Sequence, residues 1–381
     1  MTSLRVVGLF AGIGGIEKGL EASGHASTLL CEIDPAARAV LDRHFESEVE
    51  NDVRALRSLP EADLLAAGFP CQDLSQAGGK AGIRGSQSSL VSEVFRLVRK
   101  RATRPEYLLF ENVSYMLRLD KGQAMDFLVS RLESFGYRWA YRVVDARAFG
   151  VPQRRQRVVL LASLNEDPGR VLFADDAPTA TFDDTTTNVD RDAVYGFYWT
   201  EGLRGLGWTR NAVPTIKGGS ALGIPSPPAV WDPTTGEIGT PEIEDAERLQ
   251  GFAADWTAAA EQASFKRGAR WRLVGNAVCV DMAEWIGSRL SAPGDPAGDV
   301  RPLRDGARWP SAAQGRRGER SAVQVSMYPR ADPIDLKKFL SMPLKPLSTR
   351  AAAGFYSRAG RSTTLNFPSE FLDDIAFIAG A

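Results

Sequence analysis

Over its first 165 residues the chain alternates short apolar runs with amphipathic stretches, and few architectures can absorb that pattern. Strand-like runs fall at Leu4–Phe10, Ser27–Glu32, Asp63–Ala67, Tyr107–Glu111, Trp139–Val144 and Arg157–Ser163. Between them, Ile16–Ser23, Ala36–His44, Val91–Arg101 and Gln123–Phe135 read as amphipathic helices. The alternation predicts an α/β fold with a parallel, doubly wound sheet and its site at the carboxyl ends of the strands.

The texture changes after Asn165. Residues 166–240 are rich in Gly, Pro, Thr and Trp, which predicts a small loop-rich β domain. Residues 241–291 return to helical character and to the first domain, 1–165. Residues 292–325 are dense in Pro, Gly, Asp and Arg without periodicity and read as a mobile linker. A basic extension with renewed apolar content follows at 326–381. The net charge of −1 hides an asymmetry, because Arg301 to Arg361 carries 13 Lys and Arg against 4 Asp and Glu. Any nucleic-acid contact therefore rests on local patches, not on overall charge.

Composition excludes several classes. With 44% apolar and 24% charged residues the chain is neither wholly disordered nor collagen-like. No apolar run reaches the length of a membrane span, and the first residues lead into a strand instead of a signal peptide. Three cysteines and two histidines make no disulfide framework and no evident zinc site, so no metal is expected. The reading is a reduced, soluble, cytoplasmic protein.

Chemistry gathers at the strand ends. Gly8-Leu9-Phe10-Ala11-Gly12-Ile13-Gly14-Gly15 closes the first strand in a tight turn that lets a ligand approach the backbone, without the spacing of a dinucleotide fingerprint. Glu32 ends the second strand, where a carboxylate can accept from ribose hydroxyls, and Asp52 is placed to receive an adenine amino group. Each alone is an ordinary surface charge, but a glycine turn and two acids at successive strand ends point to a nucleoside-type cofactor. Next, Gly68-Phe69-Pro70-Cys71-Gln72-Asp73-Leu74-Ser75 puts a cysteine behind a rigid proline at a strand exit, where a nucleophile belongs. Cys31 and Cys279 read as small core hydrophobes. Gly78–Gly85 reads as a mobile lid. Glu111-Asn112-Val113 brings a carboxyl group able to bind or protonate a heterocyclic nitrogen. In Gln153-Arg154-Arg155-Gln156-Arg157, alternation sends Arg155 and Arg157 to one side, suited to phosphate or carbonyl oxygens.

In this order, and with Glu247–Phe252 and Gly275–Val278 further on, these segments resemble the signature motifs of the C5-cytosine DNA methyltransferases, over roughly residues 4–290. The resemblance implies a doubly wound, Rossmann-like methyltransferase sheet with a small loop-rich target-recognition domain at 166–240. It implies S-adenosyl-L-methionine as cofactor, held by Phe10, Gly12, Ile13, Gly14 and Gly15. Glu32 would take the ribose, with Ile33, Asp52 and Val53 around the adenine and Gly68, Pro70, Leu90, Asn276 and Val278 completing the pocket. Two positions depart from the common pattern: Gly8, where relatives often carry Asp, and Ile33, where a Trp is known.

The reaction so implied is methylation of cytosine C5. Cys71 adds to C6, Glu111 holds N3, Arg157 binds O2, and Arg155 touches phosphate or shapes its motif. Duplex DNA is the partner, and the target cytosine must be flipped out of the stack. The DNA-contacting residues implied are Gln72, Ser75, Arg154, Thr215 and Ile216. A bacterial modification or phage-defence setting follows, with a monomer on DNA and room for defence-system partner proteins. Two alternatives are a transfer-RNA cytosine-5 methyltransferase and a catalytically silent DNA-binding subunit. The absence of a Cys-Phe-Thr tripeptide speaks against the first, and intact Cys71, Glu111 and Arg157 against the second.

Overall fold

The computed structural model describes residues 3–69, 89–101, 103–177, 188–203, 205–219, 225–263, 268–304, 306–332, 334–362 and 365–381. Pro70, Cys71, Gln72, Ser75 and the expected lid at Gly78–Gly85 lie outside them.

A ten-stranded sheet organises the chain. Its parallel half comprises β1 (Arg5–Leu9), β2 (Ala26–Cys31), β3 (Glu48–Glu50), β4 (Leu64–Ala67) and β5 (Tyr107–Val113), in the order β3-β2-β1-β4-β5. The chain winds outward from β1 to β3 and then restarts at β4, so the order reverses between β1 and β4. In an open α/β sheet that reversal opens a crevice at the carboxyl ends of the strands.

Expectation and structure part at the next strands. β6 (Arg138–Asp145) and β8 (Gln156–Ser163) are joined by a short connection carrying the two-residue β7 (Gln153–Arg154), not by a crossover helix. Without a crossover the chain can only reverse, and β8 runs antiparallel between β5 and β6.

Helices cover both faces. α3 (Ser89–Arg99) and α4 (Gln123–Ser134) contribute Val94, Leu97, Leu128 and Leu132 to one buried layer, against Leu9, Leu65, Leu108 and Leu160. On the other face α1 (Gly15–Ala22) and α6 (Val280–Ser291) bury Ile16, Leu20, Met282 and Ile286 against Val6, Leu64, Leu109 and Leu161. α2 (Pro35–His44) starts where the Asp34 carboxylate accepts from the Ala36 amide, with Pro35 at its first position. α5 (Ala269–Asn276) leads directly into α6.

Residues 299–324, read as linker, pair into strands instead. β14 (Asp299–Pro302), β15 (Ala312–Arg316) and β16 (Glu319–Gln324) extend the large sheet, with β15 antiparallel to β6. Arg142 of β6 pins this junction: fully buried, it donates to the carbonyls of Ser326, Leu172 and Asp175 and pairs with Asp176 at 2.7 Å.

A second, five-stranded sheet holds β9 (Tyr195–Phe197), β10 (Thr209–Arg210), β12 (Ala229–Trp231), β13 (Ile238–Thr240) and β17 (Lys345–Pro346). β11 (Val213–Pro214) leaves this unit to pair with β7, joining it to the first domain. Its core is aromatic, with Tyr195, Phe197, Trp208 and Trp231 packed on Phe355, Phe367 and Phe371. Those last residues come from α7 (Thr349–Ala359), α8 (Ser369–Ala379) and the stretch between them. The basic extension is thus a structural part of the β unit. Val171, Leu172 and Phe173, placed by the sequence reading at the start of that unit, pack instead in the core of the first domain.

Candidate active site

The strand register sets the site. Leu9 pairs with Cys31 and with Ala67, and Ala67 pairs with Phe110, so these four form one row across the sheet. Phe10, Glu32, Gly68 and Glu111 are each the next residue beyond it. The apolar rows end together, and Phe10 and the polar or small Glu32, Gly68 and Glu111 reach the same edge.

At the β1 end the chain turns sharply through three positive-φ residues: Phe10 at 56°, Gly12 at 58° and Gly14 at 83°. The Gly12 amide donates to Glu32 Oε2 at 2.8 Å, while Glu32 Oε1 accepts from the Asp34 amide at 2.8 Å. One carboxylate thereby ties the glycine turn to the start of α2. Among the described residues nothing lies within 4 Å of the point where a side chain on Gly12 would begin, which leaves the backbone open to a ligand. Ile13 points the other way, into a core with Phe252 and Trp256, and its carbonyl accepts from Trp256 Nε1. Ile33 is 63% exposed at this edge, Val53 is buried, and Asp52 spends one carboxylate oxygen on the Arg54 amide. From the far end of the chain Val278 reaches both Gly15 and Gly68, and Asn276 stands exposed beside Gly218. Leu90 packs part-buried at the start of α3. An open glycine turn, flanking carboxylates and an exposed apolar side chain fit a nucleoside cofactor.

Glu111 and Arg157 meet on adjacent antiparallel strands, with Arg157 Nε 2.9 Å from Glu111 Oε1. Both side chains are nearly buried. Burial raises the Glu111 carboxyl above its ordinary range, against the opposing pull of the Arg157 and Arg155 cations. Gly68 leaves room here, since a side chain on it would begin 3.8 Å from Glu111 Oε2. Asn112, buried next door, donates from Nδ2 to the Phe69 carbonyl at 3.0 Å. The chain entering the Pro70–Cys71 segment is thus tethered to the strand that carries Glu111. Cys31 and Cys279 are buried with thiols pushed up to about 12 by desolvation, so neither is a nucleophile near neutral pH.

Two expectations need correction. Arg155 does face the same interior as Arg157, but it is 2% exposed and donates to the carbonyls of Ile216, Gly275 and Ala277. No DNA phosphate can reach it there. Its role is to shape the motif by clamping β8, the β unit and α5 together. Ile216, expected at the DNA, is 1% exposed among Val213, Leu249 and Val274. An apolar side chain between two helices and a strand gains more from burial than from a wet groove. Its neighbour Thr215 stays part-buried, donating to the Arg154 carbonyl, and Arg154 donates to the Trp208 carbonyl.

Three contributors escaped the sequence reading. Gln153, fully buried, donates to Leu249 O and accepts from the Ile216 amide. Its position in the quoted Gln153–Arg157 run was its only signal. Tyr198 faces Arg154 and Arg155, donates to Thr215 O at 2.6 Å and carries the Lys217 ammonium 4.0 Å over its ring. Glu17 fills the space that a side chain at position 8 would take, its Oε1 only 2.1 Å from where such a side chain would begin. The glycine that departs from the common pattern is matched by an acid one helix away.

An open parallel sheet with a glycine turn and an acid at successive strand ends defines a nucleoside-cofactor α/β enzyme, with a buried acid–arginine pair beside the pocket. Comparison with known proteins narrows this. A family model described as C-5 cytosine-specific DNA methylase matches residues 4–194. Type II methyltransferase M2.BsuMI of Bacillus subtilis (strain 168) is 53% identical over 378 residues, covering 98% of this chain and 97% of its own. Type II methyltransferase M.BanI of Aneurinibacillus aneurinilyticus is 37% identical over 175 residues, 44% of this chain and 40% of its own. Among solved structures, S. pombe Dnmt2 methyltransferase shares the fold with a TM-score of 0.54 at 17% identity, over 75% of this chain and 98% of that one. The chain belongs to the C-5 cytosine-specific DNA methylases, enzymes that methylate cytosine C5 in double-stranded DNA from S-adenosylmethionine. Among the described residues no helix is long and apolar enough to cross a membrane.

Proposed function

We propose that this enzyme methylates a flipped cytosine within a short duplex sequence, through a covalent adduct between Cys71 and C6. The observation carrying this reading is the buried Glu111–Arg157 pair beside Gly68, three residues before Cys71. Phe10, the Gly12–Gly15 turn, Glu32, Ile33, Asp52 and Val53 hold the cofactor, with Gly68, Leu90, Asn276 and Val278 closing its pocket. S-adenosylmethionine, when bound, supplies the electrophilic methyl group that C5 takes up.

The chain's own residues activate the ring. The Cys71 thiolate adds to C6, and electron density moves toward C5. Glu111 holds the proton at N3 that balances this shift, which its raised pKa favours. Arg157 neutralises charge at O2 while its ion pair keeps the acid in place. A base then takes the C5 proton, and its bonding electrons form the C5–C6 double bond. The Cys71–C6 bond breaks to restore the thiolate, and the N3 proton returns to Glu111. Gln72, Ser75, Arg154 and Thr215 contact DNA, and the five-stranded unit reads the sequence. The enzyme works in the bacterial cytoplasm as a monomer on DNA, within a restriction-modification system whose other proteins are its partners.

The test is methylation mapping of DNA from a methylation-deficient bacterium expressing the chain, beside a Cys71→Ser control. Protected cytosines in one short motif, lost in the control, support the reading. Protection that survives Cys71→Ser removes Cys71 as the nucleophile.

A further inference from the structure

From Leu336 to Ser369 the chain carries six Lys and Arg and no Asp or Glu. Two of these arginines line a cavity of about 390 Å³ where α7 meets the β unit, bounded by Trp199, Thr200, Ser348, Arg350, Gly354 and Arg358. Arg350, Gly354 and Arg358 are spaced four apart on α7 and so share one face. Gly354 leaves that face low, with Arg358 Nη1 3.5 Å from where a side chain on it would begin. Arg358 is held by the Trp199 carbonyl, and among the described residues its buried Nε has no partner. Among the described residues Arg350 makes no ion pair or hydrogen bond, and no carboxylate lines the cavity.

The cavity is not remote from the chemistry. Trp199 follows Tyr198, which faces Arg154 and Arg155 and is bonded to Thr215 O, while Thr215 bonds back to Arg154 O. The Trp199 indole is itself fixed by its bond to Pro227 O.

We infer that the cavity formed by Arg350, Arg358, Trp199 and Thr200 is a seat for a backbone phosphate of the substrate duplex, away from the flipped base. This rests on the DNA-methylating function proposed above. Arg350 is the free charge that engages the phosphate, and Arg358 is the fixed cation behind it. The contact positions the duplex without reading its bases.

The test is duplex binding across a salt series, by fluorescence anisotropy, on a fragment carrying the sequence found methylated in the mapping experiment. Calorimetric titration with S-adenosylmethionine runs alongside. Arg350→Ala should weaken binding about fivefold at low salt and reduce the slope of log K against log salt by about one. Ala351→Glu is the second variant. Its carboxylate sits three residues after the capping Ser348, where it completes a capping box, so it keeps or raises the melting temperature while opposing phosphate. It should weaken binding more than Arg350→Ala, with cofactor affinity unchanged for both. Wild-type affinity and slope in both variants would overturn the inference while leaving the methylating function standing. A wild type that takes up S-adenosylmethionine yet binds no duplex overturns both.

Discussion

The side-chain amide of Asn112 donates to the carbonyl of Phe69 across 3.0 Å, joining the residue after the buried acid to the strand exit that precedes Cys71. The strand that carries Glu111 and the exit of β4 are thus joined through two buried groups rather than through solvent. Asn112→Ala leaves the Phe69 carbonyl without this donor. The expected cost is about 1–3 kcal/mol of stability, read by urea denaturation. Turnover should fall while the dissociation constant for S-adenosylmethionine stays within twofold, because the glycine turn is not involved. Equal losses in both would show that Asn112 supports the whole edge.

Glu111→Gln keeps the shape but not the transferable proton. Loss of acid assistance predicts a rate lower by about 10²- to 10⁴-fold under single-turnover conditions. The wild-type carboxyl is raised by burial, so its protonated form persists to higher pH than an ordinary glutamic acid's. The rate should therefore decline as pH rises through that pKa, and this limb should be missing from the Gln variant. A Gln variant with the same limb would place the titrating group elsewhere.

Arg155 holds three carbonyls from two other segments, so its charge serves architecture. Lysine offers a point charge and cannot span the same fork. Arg155→Lys should lower stability by about 2–4 kcal/mol, since a buried charge loses partners. Calorimetric melting is the readout. A melting temperature equal to wild type would mean that the clamp is dispensable.

Glu17 is buried, with one carboxylate oxygen unpartnered among the described residues, and desolvation raises its pKa from 4.5 to about 8. Between those values the folded chain holds a proton that the unfolded chain has released. Stability from this group is complete below about pH 4.5 and drains away as pH rises toward 8. Glu17→Gln carries no such titration, so its stability relative to wild type should improve from pH 6 to pH 8.5 by on the order of 1–3 kcal/mol. A gap independent of pH would show that Glu17 does not titrate there.

Position 8 supplies the companion experiment. Gly8→Ala drives a methyl group onto the Glu17 carboxyl and should cost on the order of 1–3 kcal/mol. Glu17→Ala vacates that space, so the double variant should recover most of the loss relative to Glu17→Ala alone. Additive costs would break the proposed complementarity.

Much of this edge was legible because apolar runs mark the strands. Glu32, Gly68 and Glu111 each follow such a run, and the sheet register brings them level with Phe10. The side shared by Arg155 and Arg157 was legible too, from alternation alone. The meaning of Arg155 was not, because three carbonyls separated from it by 61 to 122 residues decide it. The strands at 299–324 were hidden for a different reason. β14 is exposed throughout, so it shows no inward-facing period, and its pairing is decided by the free edge of β6 through β15. Likewise Phe355, Phe367 and Phe371 announce that something is covered, but not that it is a sheet more than 100 residues earlier.

The five-stranded unit takes four of its strands from before residue 241 and its fifth, with Phe355, Phe367 and Phe371 of its aromatic core, from beyond residue 344. On the ribosome the strands bearing Glu111 and Arg157 are complete at Ser163, about 180 residues before Lys345 emerges. Residues 275–278, which hold Arg155 and lie against Gly15 and Gly68, join the site within that interval, while the unit proposed to read the sequence still lacks its last strand. The acid–arginine pair is therefore synthesised well before the β unit can close its sheet.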